Sequence, residues 1–164
     1  MNLKKKAMNT IKLNEMETSL ELAEVKVVYK RSRRNAIKII NSKDCFEILY
    51  SLFNKDTIEY REEFFLLLLN RPQYFLGWIK LSVGGTTGTV VDPKIIFTIA
   101  LQTNTCSIVL CHNHPSGNLC PSEEDIKLTE RIKNGGKLLD IKLLDHLIIT
   151  PDGSYYSFTD DGLL

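Results

Sequence analysis

Apolar residues fall along this chain in short bursts, and the spacing within each burst distinguishes strands from helices. Residues 25–30 (Val-Lys-Val-Val-Tyr-Lys) alternate and are β-branched, which predicts a strand; the basic cluster Lys30, Arg31, Arg33 and Arg34 reads as the loop after it. Residues 1–22 are polar and mixed in charge, bury little and are expected to fray. Cys45, Ile48, Leu49 and Leu52 recur at helical spacing, predicting a helix over 43–53 with Ser42 as its cap and Asp44 in its first turn. From Glu59 the pattern turns to sheet. Residues 62–69 form a short apolar strand that ends at Asn-Arg-Pro-Gln (70–73), and residues 74–83 are its expected hairpin partner.

Gly-Gly-Thr-Thr-Gly-Thr (84–89) is a loop, and Asp92-Pro93 opens a helix to about Leu101. Residues 107–111 are a compact buried strand ending at His112. Residues 115–121, with two prolines and a glycine, are loop. Ser122-Glu-Glu-Asp is a helix start with Ser122 as N-cap, and the helix is expected to stop at Gly135-Gly136. A strand over 142–150, a Pro-Asp-Gly turn and a short strand over 155–158 complete the chain. Strands interleaved with two or three helices predict an α/β or α+β sandwich. The expected organisation is an N-terminal segment over 1–41, partly flexible with one strand, followed by a domain over 42–164.

Composition narrows this little. A length of 164 residues fits one core. With 21 basic against 20 acidic residues, bulk charge nominates no partner. Apolar runs such as 64–69 are far below the roughly 20 residues that cross a bilayer, and the basic N-terminus is followed by no apolar signal core, so a cytoplasmic protein is expected. Cys45, Cys106, Cys111 and Cys120 form no CxxC pair and read as reduced thiols, with Cys106 and Cys111 filling core space.

The informative chemistry lies in Cys-His-Asn-His-Pro-Ser-Gly-Asn-Leu-Cys-Pro-Ser-Glu-Glu-Asp (111–125). Two histidines one residue apart at a strand end share a face, so His112 and His114 can turn to one point. Ten residues separate His114 from Asp125, enough for the chain to fold back and add a carboxylate. Two imidazoles and a carboxylate suit zinc and leave a fourth position open; zinc of this kind lowers the pKa of a bound water to about 7. A carboxylate outside the ligand set must then move the proton. Glu62 is the candidate, because alternation puts it on the face of Phe64, Leu66 and Leu68 and turns Glu63 the other way. Glu59 and Glu63 compete for the role, and an ion pair with Arg61 or a lysine is the plainer use of Glu62.

Other features read more simply. His146, in Asp-His-Leu-Ile-Ile (145–149), has no partner at ligand spacing and is expected to be a hydrogen-bonded strand residue or a support for the site. The Lys30 to Arg34 cluster is more commonly a solvated loop than a phosphate site. Residues 84–88 lack both the Walker lysine and the GxGxxG order. Three adjacent residues His-Asn-His do not reproduce an HNH nuclease, whose residues are spread along a hairpin and helix.

The order Glu, His-x-His-Pro, Ser-x-x-Asp resembles the JAMM motif of MPN-domain metalloproteases, and His-Asn-His-Pro-Ser-Gly (112–117) is similar to the signature of the bacterial RadC proteins. The similarity extends through Gly-Thr-Val-Val-Asp-Pro-Lys (88–94), Leu-Leu-Asp-His-Leu-Ile (143–148) and Tyr-Ser-Phe-Thr-Asp-Asp-Gly (156–162), and so covers about residues 42–164. It implies an MPN/JAB fold of cytidine-deaminase-like kind, a mixed sheet flanked by helices. It further implies a zinc ion held by His112, His114 and Asp125, Glu62 as general acid/base, and Ser122 stabilising an oxyanion while an amide bond of a peptide or isopeptide is cut. The same serine is the predicted helix cap, and the two tasks compete for one hydroxyl. Lys94 stands where the family leads one to expect arginine. Longer RadC proteins carry an N-terminal helical region that could contact DNA. The alternatives are therefore a DNA repair or recombination factor using the domain as a binding module, and a noncatalytic MPN scaffold.

Overall fold

The two apolar strings marked as a hairpin, β1 (Glu63–Leu69) and β2 (Phe75–Val83), pair antiparallel. A computed structural model describes residues 37–84 and 91–164; the expected strand at 25–30, the basic cluster Lys30 to Arg34, residues 1–22 and most of the 84–89 loop lie outside them. On its other side β1 pairs antiparallel with β3 (Ser107–Asn113). The sheet continues through β4 (Lys142–Ile149), parallel to β3, and β5 (Tyr155–Ser157), in the order β2-β1-β3-β4-β5. A parallel pair needs a crossover, and α3 (Glu123–Leu138) supplies it.

All seven positions of β1 and of β3 are buried, because helices cover both faces. On one face α1 (Ser42–Tyr50) sets Cys45 and Leu49 against Phe65, Leu67, Val109, Cys111 and Leu147. On the other, α2 (Pro93–Gln102) and α3 set Ile96, Ala100 and Ile132 against Phe64, Leu66, Leu68, Ile108 and Leu110. Among the described residues the result is the expected α/β sandwich, a mixed five-stranded sheet flanked by three helices. No helix among the described residues is long and apolar enough to cross a membrane.

Several boundaries differ from expectation for local reasons. Asn41, not Ser42, caps α1: its side chain accepts from the Asp44 amide at 2.9 Å, and Asp44 accepts in return from the Asn41 and Ile40 amides. Ser42 becomes the first helical residue and donates to Asp160. The helix ends at Tyr50 rather than at 53, although Phe53 is still buried. Glu62 stands just before β1 rather than within it. Cys111 fills the core as expected, but Cys45 joins it while Cys106 is only half-buried.

The largest difference is that α3 runs through Gly135 and Gly136 to Leu138. A Cβ on Gly136 would collide with the backbone oxygen of Ile141, and one on Gly135 would meet the Phe97 ring. These glycines bring the helix close to α2 and to the chain entering β4; they do not end it. The reversal falls instead on Asp140, at φ 54°.

The β3–β4 pair carries a bulge that re-aims a side chain. Ile108 faces Leu143 but Val109 faces Asp145, so Leu144 is an extra residue in β4. Leu143 belongs to the α2/α3 side and Leu144 packs toward α1. Beyond the bulge the parity is inverted: Leu147 and Ile149 face α1, and His146 returns to the α2/α3 side, where it meets Thr129 of α3.

Candidate metal centre

The last residues of β3 carry His112 toward the α3 layer, where it is almost fully buried with its ring parallel to Phe64 at 5.6 Å. His114 lies one residue past the strand, and its amide donates to the Ile149 carbonyl at 2.9 Å, extending the β3–β4 pairing to the site. The loop then tightens through Gly117, at φ 77°, and delivers the Asn118 carbonyl to within 2.7 Å of His114 Nδ1. A carbonyl only accepts, so Nδ1 carries a proton, and Nε2 is the nitrogen turned toward Asp125. Asp125 arrives in the first turn of α3. Its Oδ1 is 3.2 Å from His112 Nε2, its Oδ2 is 3.7 Å from His114 Nε2, and the two Nε2 atoms are 3.0 Å apart.

These three residues offer ligand atoms that all lie within 4.8 Å of one another. Two imidazole nitrogens and a carboxylate, convergent and mostly buried, form a donor set that fits zinc. The charges are set for a cation. Burial pushes Asp125 upward, but hydrogen bonds from His112 and His114, the charge on His112 and the Ser122 hydroxyl outweigh it and hold the carboxyl well below its usual range. Burial lowers His114, yet its bonds to Asp125 and to the Asn118 carbonyl, with the charges of Asp125 and Glu62, leave it above 6.5.

Glu62 is half-buried, and its carbonyl accepts from the Gly84 amide at 2.8 Å. The pairing of Phe64 with His112 runs this edge of β1 toward the candidate ligands, and the Glu62 charge is felt at His114. Glu63 goes the other way. It is buried in ion pairs with Lys80 at 2.6 Å and Arg61 at 3.4 Å. Glu59 is exposed.

Ser122 caps α3 as expected, and Asp125 is the partner residue of that capping box. Asp125 Oδ2 accepts from the Ser122 amide at 2.8 Å and from its hydroxyl at 2.6 Å. The hydroxyl expected to serve an oxyanion is therefore committed here to the carboxylate of a candidate ligand.

Sequence reasoning passed over Asn113. Lying between two histidines that share a face, it points to the opposite side, fully buried. Its Oδ1 accepts from the Glu63 amide at 2.7 Å, and its Nδ2 donates to the carbonyls of Ile58 at 2.7 Å and Arg61 at 2.9 Å. The loop carrying Glu62 is thus pinned to the strand carrying the histidines. The signal was present, since a polar residue at an inward position of a buried strand must find partners.

His146 is also brought to the site. Its Nε2 is 3.0 Å from His112 Nδ1, its Nδ1 is 2.7 Å from Thr129 Oγ1, and Thr129 Oγ1 donates to the Asp125 carbonyl at 2.6 Å. Burial, together with the charge on His112, pushes the His146 ring well below 6.5 and keeps it neutral.

The chain is similar to known proteins. A UPF0758 protein of Flavobacterium johnsoniae is 44% identical over 126 residues, which is 77% of this chain and 53% of that protein. One from Methanosarcina mazei is 38% identical over 127 residues, 77% of this chain and 54% of its own length. A third, from Geobacter sulfurreducens, is 32% identical over 163 residues, 97% of this chain and 67% of the relative. The chain thus spans about half the length of the first two and two thirds of the third. The family model described as the RadC-like JAB domain matches residues 39–163, and the chain belongs to that family.

Proposed function

We propose that this protein is a zinc-dependent hydrolase of JAMM type that cleaves a peptide or isopeptide bond. The observation that carries the reading is the convergence of His112, His114 and Asp125 donor atoms within 4.8 Å, beside a glutamate whose charge reaches His114. Membership of the JAB family supports it, while the names of the relatives specify no reaction.

His112 Nε2, His114 Nε2 and one Asp125 oxygen would hold the ion. Zinc, when bound, supplies Lewis acidity and brings a water to a pKa of about 7. Glu62 takes a proton from the attacking water and passes it to the amide nitrogen as the carbon–nitrogen bond breaks, giving a carboxylic acid and a free amine. Ser122 supports Asp125 in the resting arrangement, and serves the carbonyl oxygen only when its hydroxyl turns off Oδ2. Phe64, stacked on His112, shields one side of that ring from water.

The test is metal content followed by turnover of a panel of peptide and isopeptide substrates. The parent should bind about one zinc per chain and hydrolyse at least one class; Glu62→Gln should keep the zinc and lose the turnover. A parent without zinc, or a Glu62→Gln variant as active as the parent, overturns the reading.

A further inference from the structure

Beyond the candidate ligands runs a chain of three hydrogen bonds whose direction is fixed by its far end. Thr129 Oγ1 lies 2.6 Å from the backbone carbonyl of Asp125, which only accepts, so the single hydroxyl proton is used there. The same oxygen is 2.7 Å from His146 Nδ1 and must therefore accept from it. With Nδ1 as its donor, the fully buried His146 ring can accept at Nε2, and this atom faces His112 Nδ1 at 3.0 Å. His112 must then carry its proton on Nδ1. That makes Nε2, the atom 3.2 Å from Asp125 Oδ1, the nitrogen whose lone pair would face the cluster once a metal displaces the proton it shares with that carboxylate.

We infer that Thr129 and His146 are positioning residues that fix the tautomer and orientation of His112 for metal binding. The inference rests on reading His112, His114 and Asp125 as the metal ligands. His114 is fixed separately, by the Asn118 carbonyl on its own Nδ1. His112 has no carbonyl at that position, and His146 supplies the acceptor instead.

Two features show that the relay is built into the fold. It begins on the backbone of one candidate ligand, Asp125, and ends on the ring of another, His112, so α3 and β3 are tied together through β4. It also depends on the β4 bulge. Strict alternation from Leu143 would send His146 to the α1 side, and the extra residue Leu144 re-aims it toward Thr129 and His112. The relay is buried: Thr129 and His112 are almost fully enclosed and His146 completely so, its ring stacked on Phe158 at 4.8 Å and tilted against Phe64 at 5.6 Å. Without competing water, each relay bond is decided by protein partners alone.

Partners of this kind are worth roughly 10- to 100-fold in metal affinity. Thr129→Val keeps the side-chain shape and removes the hydroxyl; Thr129→Ser restores it. Zinc affinity is read by competition with a chromogenic chelator. The expected result is a loss of roughly 10- to 100-fold for Thr129→Val and near-parental affinity for Thr129→Ser. A second measurement needs no variant: long-range proton–nitrogen NMR of the zinc-loaded parent should place the ring protons of His112 and His146 both on Nδ1. Equal affinity of Thr129→Val and parent, or a His146 proton on Nε2, overturns the relay while leaving zinc binding intact. Absence of zinc from the parent itself overturns the metal reading, and the relay with it.

Discussion

Ser122 grips one oxygen of Asp125 twice, from its amide at 2.8 Å and its hydroxyl at 2.6 Å, and so leaves the other oxygen to face His112 Nε2 at 3.2 Å. A helix cap and a candidate metal ligand are thus the same carboxylate. The α3 N-terminus, with its unpaired amides and positive dipole end, favours that negative charge.

Two variants separate the shared tasks. Asp125→Ala should abolish zinc binding and also cost about 1 kcal/mol of stability through the lost cap interaction. Ser122→Ala should cost a similar ~1 kcal/mol but only weaken zinc, by roughly tenfold or more, because an unsupported ligand is less well oriented. Thermal unfolding of the metal-free proteins and chelator competition measure the two effects. Parental zinc affinity in Ser122→Ala would show that the carboxylate needs no such support.

The neighbouring glutamates should divide cleanly between stability and turnover. Glu63→Gln removes the charge that pairs with Lys80 and Arg61 inside the protein and should cost about 1–3 kcal/mol. Glu62→Gln should leave the unfolding temperature near the parent's while hydrolysis is lost. A stability loss at Glu62 and an activity loss at Glu63 would mean that Glu63, not Glu62, faces the candidate ligands.

The pH dependence of the metal-free and zinc-bound forms should have opposite signs. In the metal-free fold burial pulls His114 down, but Asp125 and the Asn118 carbonyl hold it above its ordinary 6.5. The stability from this pair is complete below that ordinary value and is lost as pH rises through the folded value. Zinc needs the bare imidazole, so its affinity should be flat above the folded value and fall about tenfold per pH unit below it, for each proton displaced. Denaturant unfolding with and without zinc across pH 5 to 9 checks both slopes. A zinc affinity that does not weaken in acid would argue against imidazole ligands.

Most of this site was legible because its parts are close in sequence. The period-two parity of a strand end turns His112 and His114 to one side, and the Ser122 cap sets where Asp125 begins its turn. What escaped notice depended on packing between distant segments. Gly135 and Gly136 look like a helix stop until Phe97 and the Ile141 carbonyl are seen against them. Asn41 and Ser42 are both good caps in isolation, and the choice fell to Asn41 because Asp44 closes a reciprocal box with it while the Ser42 hydroxyl is drawn to Asp160. His146 was hidden more deeply still: the β4 bulge that re-aims it arises from sheet register, which local pattern does not encode.

Gly136→Ala removes a residue of low helix propensity, and in an isolated helix it would stabilise by up to ~1 kcal/mol. Here the new methyl meets the Ile141 backbone, so a net loss of about 1–3 kcal/mol is expected. That corresponds to a fall of a few to roughly ten degrees in unfolding temperature. An unchanged or raised temperature would show that the helix end yields easily.

Asn113 provides the sharpest separation of metal binding from chemistry. Its amide makes three buried hydrogen bonds, to the Glu63 amide and to the Ile58 and Arg61 carbonyls, on the side of β3 away from the histidines. Asn113→Ala leaves those backbone groups without partners, at about 1–3 kcal/mol for a buried unpaired group. It also frees the loop that carries Glu62, while the strand pairing that holds His112 is untouched. Zinc affinity should therefore stay near parental. Turnover should fall by roughly 100-fold, the scale of a 1 Å misplacement of a reacting group, and the loss should lie in kcat more than in KM because the substrate still meets the same metal. Zinc titration and steady-state kinetics at a temperature well below unfolding decide the matter. Loss of zinc in step with turnover would mean that Asn113 holds the histidines and not the glutamate.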